Sequence, residues 1–92
     1  MSELETPLRT WWVYLLQCRG GRLYCGVTVD LDARWAAHVS GKGARFTRAF
    51  PPEAILASMK VEGQAEALRL ERRIKRLPKG QKVAALSVPH QA

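Results

Sequence analysis

Ninety-two residues are enough for one domain with a modest core, and an apolar share of 47% excludes a disordered chain. A formal net charge of +7, with seven basic residues against Glu71 alone between Arg69 and Lys82, points to a polyanionic partner, nucleic acid first, although a solvated helix face would carry the same charges. The longest apolar run, Trp11 to Leu16, is too short to span a bilayer, and Glu3 and Glu5 stand where a signal peptide would be apolar, so a cytoplasmic protein with reduced thiols is expected.

Residues 1–10 read as an N-terminal tail, 11–87 as the domain and 88–92 as a C-terminal tail that includes His90, which is given no role. Residues 11–18 are aromatic and aliphatic, a strand, and 22–28 form its return. The turn at Gly20-Gly21 leaves two registers. A two-residue loop puts Tyr14 and Tyr24 on opposite faces, whereas an odd loop pairing Cys18 with Arg22 puts both on one face, because side chains alternate with a period of two. Cys18 and Cys25 lack the spacing of a metal knuckle and are expected to pack in the core.

Asp30 is a good N-cap for a helix over 30–40, which Gly41 ends. Leu31, Trp35 and Val39 form its apolar stripe, with Arg34 and His38 on the neighbouring one. Residues 41–52 read as a basic loop punctuated by glycine and proline, 54–61 as a third strand broken at Gly63, and 64–77 as a helix burying Ala67, Leu70, Ile74 and Leu77. A short helix near 81–87 follows Pro78 and Gly80.

The order Tyr14, Tyr24, Arg34, His38, Glu71 resembles the GIY-YIG nuclease superfamily. Val13-Tyr14 within Trp-Val-Tyr-Leu-Leu stands for the first signature and Tyr24-Cys25-Gly26 for the second. The Asp-Leu-x-x-Arg-Trp-x-x-His run, the Gly-Lys-Gly-Ala-Arg loop and the Ala-Leu-Arg-Leu-Glu-Arg-Arg-Ile-Lys stretch are similar to the small stand-alone bacterial members, the YhbQ-like group. The chain departs from the pattern at Trp12, where the first signature has glycine, and at Cys25, where the second has isoleucine. It contains no asparagine, a residue that larger relatives contribute near the C-terminus.

The resemblance implies an α+β fold, a central three-stranded antiparallel sheet flanked by helices, and a metal-dependent endonuclease acting on DNA in repair or recombination. The alternative is a nucleic-acid-binding module of the same fold with weak or no catalysis; a protein-interaction domain with a basic helix is a third reading. In the nuclease reading Glu71 holds Mg²⁺ or Mn²⁺, an ion that keeps most of its waters and needs few carboxylates. Arg34 grips the scissile phosphate with its planar fork. Tyr24 is the general base and Tyr14 orients water and phosphate; a phenol needs a neighbouring cation for the first task. His38 bonds Tyr24 or a phosphate oxygen, or relays a proton. Lys42, Arg45, Thr47, Arg48 and Lys75 meet flanking phosphates, contacts that position nucleic acid without reading it. Each residue also has an ordinary structural reading: Glu71 as the i, i+4 partner of Lys75, Arg34 as a solvent-facing cation, His38 as a packed helix residue, and the tyrosines as sheet core.

Overall fold

A computed structural model describes residues 9–87; the expected tails lie outside it except for Arg9 and Thr10. In chain order it contains β1 (Thr10–Cys18), β2 (Arg22–Thr28), α1 (Leu31–Val39), α2 (Arg45–Ala49), β3 (Pro52–Glu62), α3 (Gln64–Arg76) and α4 (Lys79–Ser87). The three strands form one antiparallel sheet in the order β2-β1-β3, as expected for an α+β domain. β1 is central, so both its faces are covered. This explains why it reads as a continuous apolar run rather than an alternating one.

Alternation along β1 sorts the core into two halves. Val13 and Leu15 face α3 and α4, where they meet Cys25, Met59, Ala67, Leu70, Ile74 and Leu86. Tyr14, Leu16 and Cys18 face the other way, against Tyr24, Leu31, Trp35, Phe46 and Phe50. Both cysteines are buried and free. The hairpin takes the odd register: Cys18 pairs with Arg22 around Arg19–Gly21, and Leu16 pairs with Tyr24. Gly20 and Gly21 have φ of 79° and 74°, the left-handed region that glycine enters without steric cost. The register therefore places both phenols on the α1 side.

Three expectations need correction. The 41–52 segment is not all loop, because Arg45–Ala49 forms α2, closed by Phe50 N–H donating to the Phe46 carbonyl at 2.8 Å. Phe46 and Phe50, four apart, carried the helical signal, and packing against Tyr24 and each other makes so short a helix stable. In α1 the side chain turned to the sheet is His38, which is 1% exposed, while Val39 is 56% exposed. The polar partners waiting for the imidazole decide that rotation. β3 is also longer than expected, beginning at Pro52, and β1 begins at Thr10.

Local rules account for most helix ends. The Asp30 carboxylate accepts the Ala33 N–H at 3.0 Å and so caps α1. Lys82 Nζ donates to the carbonyls of Ile74 and Lys75 at 2.7 and 3.0 Å, placing a cation at the negative end of α3.

Candidate active site

Tyr14 is the centre of the site. Its ring passes over β2 at Gly26, where a Cβ would stand 2.5 Å from the phenolic oxygen. The oxygen then reaches His38 Nε2 at 2.8 Å, and His38 Nδ1 lies 2.7 Å from Thr47 Oγ1. Thr47 in turn donates to the Ala44 carbonyl at 3.0 Å. Gly43 permits this closeness, because a Cβ there would lie 2.9 Å from the His38 Cα. One helical turn before His38, Arg34 sets its guanidinium beside both phenolic oxygens. The Tyr24 ring lies 6.3 Å from that of Tyr14, 5.2 Å from His38 and 5.7 Å from Phe46, centroid to centroid.

These surroundings set the protonation states. Burial pushes the Tyr14 phenol up to about 12, with the Arg34 guanidinium pulling the other way, so it is a neutral hydroxyl. The Arg34 guanidinium is raised, chiefly by the Tyr14 phenol. His38 is lowered, first by burial and then by the charge of Arg34, so the ring is neutral near pH 7. The linkage sign follows. A depressed folded value contributes stability that is complete above the ordinary imidazole value of about 6.5 and is lost as pH falls through the lower folded value. Thermal unfolding followed from pH 8 to 5 should show the melting temperature falling below about pH 6.5, with a shallower slope in His38→Asn. Equal slopes in the two proteins would show that His38 does not contribute.

Four of the five expected catalytic residues, Tyr14, Tyr24, Arg34 and His38, thus come together on the α1 face. Glu71 stands on α3, which packs on the Val13–Leu15 side of the sheet, and pairs with Lys75 at 3.2 Å; its charge is felt at Cys25, the neighbour of Tyr24 in β2. β2 is the edge of the sheet, and a groove of about 330 Å³ wraps it. Its walls come from both faces: Leu15, Cys25, Lys75 and Lys82 from one, Tyr24 and Phe46 from the other.

Two further expectations change. His38 bonds Tyr14, not Tyr24, and with both ring nitrogens engaged and the ring buried it does not reach a phosphate oxygen. Thr47 is 1% exposed and serves His38 rather than a phosphate. Lys42, Arg45 and Arg48 are exposed, and Lys75 lies on the α3 side of the edge groove. Phe46 is the residue that sequence reasoning missed.

The donor set bears on a metal. Among the described residues no three His, Cys, Asp or Glu side chains gather where they could hold an ion, which does not fit a caged zinc. A single carboxylate with its side chain 19% exposed does fit a hard, mostly hydrated ion such as Mg²⁺, held in competition with Lys75.

The GIY-YIG catalytic domain model matches residues 10–83. The chain belongs to the GIY-YIG family. It is 49% identical over 79 residues to a UPF0213 protein of Xanthomonas axonopodis pv. citri (strain 306), covering 86% of this chain and 78% of that one. It is 48% identical over 77 residues to a UPF0213 protein of Nitratidesulfovibrio vulgaris, covering 84% and 70%. The solution NMR structure of a UPF0213 protein from Bacillus halodurans superposes with a TM-score of 0.50 at 38% identity, covering 79% of this chain and 78% of that one. GIY-YIG membership makes this a nuclease-like domain, a class whose substrates are nucleic acids. No helix among the described residues is long and apolar enough to cross a membrane.

Proposed function

We propose that this GIY-YIG domain is a metal-dependent cytoplasmic endonuclease that hydrolyses DNA phosphodiesters in repair or recombination. The observation that carries the reading is the set of two phenols, one guanidinium and one neutral imidazole gathered on the α1 face, with Tyr24 opening onto the groove at β2. The edge groove continues past Phe46 and Leu23 into a hollow lined by Arg22, Lys79 and Lys82. No carboxylate pairs with those three cations among the described residues, so a phosphate backbone can meet positive charge that no acid cancels there and at Lys42, Arg45 and Arg48.

In this mechanism Arg34 grips a non-bridging oxygen of the scissile phosphate and holds it beside Tyr24. Tyr24 is only partly buried and lines the groove, whereas Tyr14 is buried and hydrogen-bonded to His38; Tyr24 is therefore the general base, which as a phenolate beside Arg34 takes the proton of the attacking water and passes it to the leaving oxygen. Water oxygen bonds to phosphorus as the bond to the leaving oxygen breaks, with no covalent enzyme intermediate. Glu71 would hold Mg²⁺ or Mn²⁺, which when bound supplies charge relief on the phosphoryl and leaving oxygens.

The test is labelled duplex, branched and single-stranded DNA incubated with Mg²⁺, Mn²⁺ or EDTA. Cutting should require metal and fall about a hundredfold or more in Glu71→Gln. The second reading, a binding module with weak catalysis, is favoured by one observation, the Glu71–Lys75 pair, which engages the carboxylate with a cation. Salt-sensitive binding without cutting under any metal would establish that module and end the enzyme reading.

A further inference from the structure

The hydrogen-bond chain behind Arg34 can be directed by elimination. The neighbours of the buried Tyr14 oxygen are the Arg34 guanidinium, which only donates, and His38 Nε2. From the other end, the Thr47 hydroxyl donates to the Ala44 carbonyl at 3.0 Å, so its oxygen accepts from Nδ1 and a neutral ring leaves Nε2 bare to take the phenolic proton. From Tyr14 through His38 and Thr47 to Ala44 the hydrogen bonds run in one direction.

We infer that Thr47 is a positioning residue: by accepting from Nδ1 it holds His38 in the Nδ1–H tautomer, and so turns the lone pairs of Tyr14 toward Arg34 and aims the guanidinium. The other tautomer would have Nε2–H donating to Tyr14, leaving the phenolic proton facing a cation that cannot accept it. The groups facing the imidazole are Tyr14 from β1, Tyr24 from β2, Arg34 from α1 itself and Thr47 from α2, and among the described residues the hydrogen-bond partner of Nδ1 is Thr47. α2 and the close approach at Gly43 exist in register with this contact.

The experiment is ¹⁵N NMR of the histidine ring in the full chain at pH 7.5, without metal or nucleic acid. His90 is replaced by glutamine so that His38 alone reports. The wild-type pattern and Thr47→Ser should both show a protonated Nδ1 and a bare Nε2. Thr47→Val, which keeps the shape and removes the acceptor, should move the proton to Nε2. A bare Nδ1 in the wild type, or an unchanged tautomer in Thr47→Val, would overturn the inference. If the valine variant does not fold, the wild-type and serine spectra still decide it. The activity arm rests on the nuclease reading: Thr47→Val should lower kcat by on the order of tenfold with KM little changed, and Thr47→Ser should retain it. A chain that cuts no DNA ends the nuclease reading and leaves the tautomer result standing, so the two failures are distinct.

Discussion

Arg34→Ala should lower turnover by about 10²–10³-fold while the fold persists. The guanidinium stands beside both phenolic oxygens, where charge must be stabilised in the transition state. Its fork is partly exposed and rigid, so little reorganisation is needed when a phosphate arrives. Arg34→Lys should recover only a small part of the loss, because an ammonium cannot hold a phosphate and the Tyr14 oxygen in one plane. Lys42→Ala, an exposed loop change, should instead weaken binding modestly and reduce its salt dependence, with kcat nearly unaltered. Thermal unfolding should place all three variants within about 1 kcal/mol of the parent. Comparable kcat losses for Arg34→Ala and Lys42→Ala would remove Arg34 from the reacting phosphate.

The largest stability effect is expected at Gly26. Its backbone is not in the left-handed region, so alanine is conformationally acceptable there and the whole penalty is steric. The new methyl would meet the Tyr14 oxygen at 2.5 Å, its Cζ at 2.7 Å and the Tyr24 ring at 3.0 Å. Tyr14 is fully buried and tied to His38, so its ring cannot retreat without breaking that hydrogen bond. Gly26→Ala should destabilise by roughly 1–3 kcal/mol, as overpacking of a filled core does. In a domain of this size each 1 kcal/mol lowers the melting temperature by about 4–8 °C. Activity should fall as well, because displacing the phenol disturbs Arg34. Gly80→Ala is the control: in α4 a Cβ meets nothing within 4 Å, and replacing a helical glycine should stabilise by about 0.5–1 kcal/mol. If both substitutions prove neutral or stabilising, Tyr14 does not cross β2 at Gly26.

The glycine of the second signature thus has a physical cause that is invisible along the chain. Tyr14 and Gly26 are twelve positions apart and meet only because the hairpin pairs them. Gly43, five residues after His38, makes room in the same way for the imidazole. The resemblance to the GIY-YIG signatures singled out Tyr24-Cys25-Gly26, but what the glycine makes room for appears only once β1 and β2 are paired.

What could be read directly from the residues was local. The strand run of β1, the N-cap at Asp30, the break at Gly63 and the Ala67, Leu70, Ile74 face of α3 depend on neighbours within one or two turns, and each stands in the fold. The Arg34–His38 pairing on α1 is of the same kind, since i and i+4 always share a helix face. Other features required the whole chain to fold. The rotation of α1 that buries His38 and exposes Val39 depends on Tyr14 and Thr47, donor and acceptor brought from β1 and α2. Which face of the sheet carries Glu71 depends on how α3 docks, and that docking is governed by nonpolar side chains that say nothing about the carboxylate beside them. Periodicity determines what lies on one element's face; only packing between elements decides what that face will meet.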